Sequence, residues 1–296
     1  MEKVKIGVIG VGHLGSIHAK LWSRCEDAIL IGIYDNDKVK SESKANELNC
    51  TNFLNIQECI SSVDAVTIAA PTSFHYEIAE MCLNAGVHCF IEKPITDKYE
   101  TAVKLIEKAK SKQLCVQVGH VERFNPALLA LKNLELNPLF IEAHRLSQFK
   151  PRATDVSVAL DLMIHDIDIM LWLIKSDVEK IDANGVSVIM DTPDIANARI
   201  TFKNGAVANL TASRLSAHPM RKMRLFQPNA YISIDFGEQE VEVFRLAEGI
   251  VESTTLLGSI EAGLLNKNII FEKPVIPKIN AIAEEQKVFI ESILHG

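Results

Sequence analysis

The stretch KVKIGVIGVGHLG, residues 3 to 15, decides the fold. Lys3 to Ile9 alternates and then runs apolar, as a strand buried in a parallel sheet does. It ends in Gly10-Val11-Gly12-His13-Leu14-Gly15, a G-x-G-x-x-G turn that leads into a helix. Gly10 permits the tight turn, Gly12 lets backbone amides approach a pyrophosphate, and Gly15 lets the helix pack close on the strand. The helix N-terminus at His13 and Leu14 adds partial positive charge. A second strand, Ala28 to Tyr34, ends at Asp35, 25 residues after Gly10. A carboxylate there can accept hydrogen bonds from both ribose hydroxyls of an adenosine and repels a 2′-phosphate. Asn36 and Asp37 offer no arginine to hold such a phosphate, so the cofactor expected is NAD rather than NADP.

Alternation continues outward from this unit. The pattern predicts a helix over 38–48, a strand over 65–69, a helix over 75–85, a strand over 87–91, a helix over 100–111 and a strand over 115–118. Strand and helix repeating in this way give a doubly wound parallel sheet, a Rossmann domain over residues 1–121. In such sheets ligands sit beyond the carboxyl ends of the strands. Three segments fall there: Ala70-Pro71-Thr72-Ser73-Phe74-His75, Glu92-Lys93-Pro94, and Gly119-His120-Val121-Glu122-Arg123-Phe124-Asn125-Pro126. Lys93 has the sharpest chemistry among them. A lysine at the mouth of a cofactor cleft can stabilise an alkoxide or polarise a carbonyl. A cis Lys93-Pro94 bond fits the sequence. The plainer reading is a surface lysine paired with Glu92, and a second Glu272-Lys273-Pro274 shows that the tripeptide also arises elsewhere. His75 reads either as a helix-start residue near the phosphates or as a partly exposed histidine.

From residue 122 to 296 the pattern changes: a strand over 139–146 and one helix are followed by consecutive strands over 180–189, 196–202, 206–214, 222–226, 230–235 and 239–246. This predicts an α+β domain with a large, mostly antiparallel sheet. Lys203-Asn204-Gly205 between two alternating runs is a hairpin signal. A helix over 156–175 crosses this sheet. It sets Asp161, His165 and Asp168 at i, i+4 and i+7, opposite an apolar stripe of Leu160, Met163, Ile164, Ile167, Leu171 and Ile174. An imidazole beside a carboxylate can be held in one tautomer and take a proton from an alcohol; a buried helix with a satisfied polar seam is the other reading. Val207, Leu210, Ile232 and Ile234 offer apolar material for covering the sheet's other face, and residues 280–294 read as a closing helix.

Composition narrows the function. A net charge of −7 over 296 residues argues against nucleic-acid binding, which needs clustered basic side chains. Six scattered cysteines with no C-x-x-C pair signal neither a zinc site nor a disulfide framework, and read as reduced thiols of a cytoplasmic protein. No uncharged apolar run approaches the roughly 18 residues a membrane span needs, and no metal is expected.

GVGHLG, AAPTSFH, AGVHCFIEKP and DLMIHDID together resemble the Gfo/Idh/MocA family of NAD(P)-dependent sugar and cyclitol oxidoreductases. GHVERFNPA and TDVSVALDLMIHDIDIM look most like members that oxidise the 3-hydroxyl of UDP-N-acetylglucosamine to a ketone. The resemblance implies that Lys93 is the catalytic lysine and His165 the proton-transferring histidine, with Asp161 contacting or orienting the substrate. It implies cofactor contacts from Gly10, Gly12, His13, Leu14, Gly15, Asp35, Ala70, Pro71, Thr72, His75, Glu92 and Lys93. It also implies a homodimer or homotetramer formed through the second sheet. Many members carry glycines before the aspartate, where this chain has Ser157, Val158 and Ala159. A nucleotide-sugar substrate brings a diphosphate, for which Arg123 and Arg152 are the first choices, ahead of Arg145, Lys150 and Arg214. His120 and Asn125 are further candidates for substrate contact. An inositol or free-sugar dehydrogenase, and an NAD-binding sensor without turnover, are the alternatives.

Overall fold

The computed structural model describes residues 3–149, 156–247, 255–262 and 265–295. In chain order the elements are β1 (Val4–Ile9), α1 (His13–Trp22), β2 (Ala28–Tyr34), α2 (Lys38–Leu48), β3 (Thr51–Asn52), α3 (Ile56–Ser62), β4 (Ala65–Ile68), α4 (His75–Asn84), β5 (His88–Glu92), α5 (Tyr99–Lys112) and β6 (Val116–Gly119). There follow α6 (Pro126–Leu129), β7 (Phe140–Leu146), α7 (Ile164–Leu173), β8 (Val178–Val186), β9 (Ile195–Phe202), β10 (Val207–Ser213), β11 (Met220–Gln227), β12 (Ala230–Asp235), β13 (Glu240–Ala247), β14 (Thr255–Ala262), β15 (Leu265–Glu272) and α8 (Ala281–His295).

Two compact units result, one of the described residues up to Val121 together with those from Asn280, the other Glu122–Ile279. The first carries a six-stranded parallel sheet in the order β3-β2-β1-β4-β5-β6, with β1 paired to β2 and β4. Val8, Ile68, Phe90 and Ile91 are fully buried because helices cover both faces. The helix over 280–294, counted by sequence with the second domain, packs here instead. Phe289 lies 5.7 Å from the Phe90 ring and 6.5 Å from Trp22, so its apolar stripe closes the core against α1 and β5. Sequence reading also passes over β3 and α3, both too short to show a period.

The second unit has a nine-stranded sheet, β14-β15-β13-β12-β11-β7-β10-β9-β8, antiparallel except for the β7–β10 pair. β14 and β15 lie beyond the strands expected from sequence. Gly205 at φ +86° makes the turn between β9 and β10, with Asn204 Oδ1 accepting from the Ala206 amide. One face of the sheet packs Met163, Ile169, Met170 and Leu173 against Ile141, Ala143 and Leu210. Leu210, Ile232 and Ile234 belong to this inner face and are buried, which corrects their assignment to the outer one; Val207 alternates to the other side. The outer face carries a row of aromatic rings, Phe140, Phe226, Tyr231, Phe244 and Phe271, with neighbouring centroids 4.9–5.7 Å apart.

Two expected elements end or change early. β8 stops at Val186 because the Val188, Ile189 and Met190 amides all donate to Asp194 Oδ2, at 2.9, 2.7 and 3.0 Å, and so leave the ladder. Those bonds hold the Asp194 carboxyl below the usual carboxylate range. The helix over 156–175 is not continuous. A π-helical turn, Ala159–Met163, precedes α7, entered where Ser157 O accepts from the amides of both Leu160 and Asp161. Among the described residues no helix is long and apolar enough to cross a membrane, and no group of three or more His, Cys, Asp or Glu could hold a metal ion. All six cysteines are unbridged.

Candidate active site

Each unit holds its own set of candidate residues. In the first, the end of β1 turns sharply at Gly10, φ +89°, where a Cβ would lie 2.8 Å from the backbone of Ala69 and Ala70. A Cβ on Gly15 would lie 1.9 Å from Gly10 O, so the close helix–strand packing demands glycine. Gly12 differs: a Cβ there meets no protein atom within 4 Å. It precedes α1 without supplying a side-chain cap, leaving the amides of the first turn, at exposed His13 and Leu14, open to an anion. Asp35 at the end of β2 accepts from the Val11 amide at 2.7 Å and the Asp37 amide at 2.9 Å, which fixes its carboxylate beside the glycine turn. Gly10, Gly12, Asp35, Ala70 and Pro71 line one cavity of about 590 Å³. All five are among the residues singled out from sequence, and Lys40, which that reading passes over, lines the same space from the first turn of α2. Its place five residues after Asp35 is the only sequence signal for it.

Beside this cavity, Thr72 opens a short 3-10 turn leading into α4. His75 is 1% exposed, with ring nitrogens 2.8 Å from Pro94 O and 2.8 Å from Ala70 O. It is buried rather than partly exposed, and it joins two backbone segments. At the end of β5, Glu92 is buried, one carboxylate oxygen 2.7 Å from His18 Nε2 and the other accepting from the Lys93 amide at 3.2 Å. Lys93, half-buried, follows directly, and the Lys93–Pro94 peptide is cis. His120 lies just beyond β6, its amide donating to Val118 O.

In the second unit, Asp161 sits in the π-helical turn and His165 in the first turn of α7, both partly exposed. The next residue, Asp166, points the other way and is 3% exposed. Arg145 from β7 grips it with two bonds, Nε to Oδ2 at 3.0 Å and Nη2 to Oδ1 at 2.8 Å, and reaches Glu122 Oε1 with Nη1 at 2.8 Å. Its guanidinium also lies 5.8 Å from the Phe236 ring. Burial pulls the Arg145 pKa down, but Asp166 and Glu122 together hold it above the usual arginine value. Burial pushes the Asp166 carboxyl up, against the pull of Arg145. A second, more exposed pair runs parallel: Arg123 binds Asp168 through Nε at 2.7 Å and Nη2 at 2.6 Å. Asn125 caps α6 through its Oδ1 and donates to Glu122 Oε2 at 2.9 Å. Its amide is therefore engaged structurally, as is the Arg145 guanidinium. Arg214, 4% exposed, donates to Val156 O at 2.8 Å. Arg152 and Lys150 lie outside the described residues.

Residues 4–120 match the Gfo/Idh/MocA oxidoreductase family's NAD-binding Rossmann fold, and residues 139–235 match its C-terminal domain. Over 294 residues the chain is 38% identical to UDP-N-acetylglucosamine 3-dehydrogenase from Acidithiobacillus ferrooxidans, covering 99% of this chain and 93% of that one. The chain belongs to the Gfo/Idh/MocA oxidoreductase family. This Gfo/Idh/MocA oxidoreductase aligns with the solved structure of the Acidithiobacillus enzyme at a TM-score of 0.87 and 36% identity, over 99% of its own length and 90% of the other. It is 26% identical to myo-inositol 2-dehydrogenase from Thermotoga maritima over 99% of its own length and 89% of that protein. It shares its fold with scyllo-inositol dehydrogenase from Lactobacillus casei, at a TM-score of 0.75 and 22% identity over 99% and 89% of the two chains.

In this Gfo/Idh/MocA oxidoreductase the glycine turn, Asp35, Lys93 and the Asp161–His165 face stand out in the sequence. The buried Glu122–Arg145–Asp166 network is not among them. Its acids lie in segments read for substrate contact, and only the packing of β7 under α7 shows that Arg145 faces inward.

Proposed function

We propose that this NAD-dependent dehydrogenase oxidises the 3-hydroxyl of UDP-N-acetylglucosamine to a ketone. The observation that carries the reading is the nearly full-length likeness to a protein named for that activity. The first unit fits the cofactor on its own geometry: open space at Gly12, uncapped amides at the start of α1, and an anchored carboxylate at Asp35 on one cavity wall. NAD, when bound, supplies the hydride acceptor. His165 takes the proton from the sugar hydroxyl, and Asp161 orients the imidazole or the sugar. The Lys93 ammonium is assigned to stabilising negative charge as it develops on the substrate. His120 and Arg123 are assigned to the substrate side; the Arg123 guanidinium, partly exposed, is already aligned by Asp168. The aromatic row on the outer sheet face supports association of copies through that face.

The test is incubation of purified protein with NAD and UDP-N-acetylglucosamine, following NADH absorbance and product mass. Turnover with loss of two hydrogens, abolished in Lys93→Ala and in His165→Ala, supports the substrate and both roles. Turnover only with free sugars or cyclitols retains the chemistry and discards the nucleotide sugar. NAD binding without any turnover favours a sensor.

A further inference from the structure

His18 on α1 is 0% exposed, its ring 5.1 Å from that of Phe90, and it faces two partners. Gln286 on α8 places its amide nitrogen 3.2 Å from His18 O and 3.1 Å from His18 Nδ1. A carbonyl oxygen can only accept, so the Gln286 NH₂ group faces it, and the same group then donates to Nδ1. Nδ1 is therefore an acceptor, and the ring proton of neutral His18 lies on Nε2. That proton is directed at Glu92 Oε1, 2.7 Å away. Glu92 Oε2 accepts from the Lys93 amide. On the β6 side the carboxylate lies beside Gly119, where an added Cβ would come within 3.0 Å of its Cδ and both oxygens. On the other side of Lys93, the Pro94 carbonyl is held by His75, whose second nitrogen meets Ala70 O in the cofactor cavity wall.

We infer that Gln286, His18 and Glu92 form a positioning chain that, with His75, fixes the backbone carrying Lys93. The chain runs from the last helix through the glycine-turn helix to the end of β5, all within the first unit. It gives α8 a part in catalysis that its place at the end of the sequence does not suggest. Glu92, read from sequence as a cofactor contact, becomes a positioning residue. The inference rests on the reading of Lys93 as catalytic, since a misplaced backbone matters to turnover only if that side chain acts on substrate.

The test compares His18→Phe, which keeps the ring contact with Phe90 and removes the donor to Glu92, with His18→Gln, whose amide can still donate. In His18→Phe, kcat with NAD and UDP-N-acetylglucosamine is expected to fall roughly ten- to a hundredfold, the size of effect that small displacements of a reacting group produce. NAD affinity and substrate KM stay within about twofold, and His18→Gln recovers most of the loss. A purely structural role would instead lower melting temperature and NAD affinity together with kcat. Unchanged kcat in His18→Phe, with Lys93→Ala inactive, overturns the positioning chain and leaves the lysine's role standing. An active Lys93→Ala overturns the catalytic reading itself. Nitrogen-15 NMR of histidine-labelled wild-type protein needs neither turnover nor a stable variant: His18 is expected as the neutral Nε2–H tautomer, and an Nδ1–H tautomer refutes the chain.

Discussion

Replacing Arg145 by methionine leaves Asp166 and Glu122 buried without their shared partner, at 3% and 8% exposure. Three charge-assisted bonds of 2.8–3.0 Å disappear. Taken singly at about 1.5–3 kcal/mol each they sum to about 4.5–9 kcal/mol, a large share of the roughly 5–15 kcal/mol that holds a domain folded. The loss is capped, however, because a buried carboxylate without a counter-ion takes up a proton instead. The expected cost is therefore that of breaking a buried ion pair from one side, about 3–5 kcal/mol. With a urea m-value near 2 kcal/mol/M, the midpoint should drop by roughly 2 M. The chain has two tryptophans, Trp22 in the first unit and Trp172 on α7 itself, so in a Trp22→Phe background Trp172 fluorescence follows the second unit. The pH dependence fixes the cause. Burial already pushes the Asp166 carboxyl up against the pull of Arg145, and losing Arg145 raises its folded-state pKa further. A carboxyl raised in the folded state adds stability below its unfolded pKa and loses it as pH rises through the folded value. The deficit of Arg145→Met should therefore shrink from pH 7.5 to pH 5. A triple variant, Arg145→Met, Glu122→Met and Asp166→Leu, should recover most of the stability. A loss below about 1 kcal/mol at pH 7.5, or one that grows on acidification, would refute the reasoning.

Two glycines should separate packing from binding. Gly15→Ala forces a Cβ to within 1.9 Å of Gly10 O and is expected to cost at least about 1–3 kcal/mol, measured by thermal unfolding without cofactor. Gly12→Ala meets no protein atom and should leave unfolding within about 0.5 kcal/mol of wild type, while calorimetric NAD affinity falls at least tenfold. Asp35→Ser should weaken NAD roughly ten- to a hundredfold, the worth of charge-assisted bonds to the ribose, and narrow its preference over NADP; an unchanged cofactor ratio in a kinetic comparison would count against the assignment. The Cys59 thiol, pushed up to about 12 by burial, should resist iodoacetamide at pH 8 in the folded protein and react once urea unfolds it.

Local constraints made the first unit legible. A glycine where a Cβ would come within 2.8 Å of a neighbouring backbone, a strand ending in an acid, and helices of about three turns all leave their mark within a few residues. What sequence could not carry was the assignment of sides. Period-2 alternation shows that a strand has two faces without saying which one the helix covers. Val207 and Leu210, three apart, must lie on opposite faces of β10, and only the packing of α7 identifies Leu210 as core. The same holds for charge. Arg123 and Arg145 both read as candidate phosphate-binding arginines, Arg123 the preferred one, yet Arg123 stands partly exposed on Asp168 and Arg145 is enclosed by Asp166, Glu122 and Phe236. Histidines divide similarly. His18 went unremarked and His75 drew one functional reading and one plain one, and both are buried and hydrogen-bonded to residues flanking Lys93. Their partners are at separations of 74 and 19 residues. A hydrogen bond made across such distances leaves no periodic trace, so the second layer of a site becomes readable only when the fold has brought its members together.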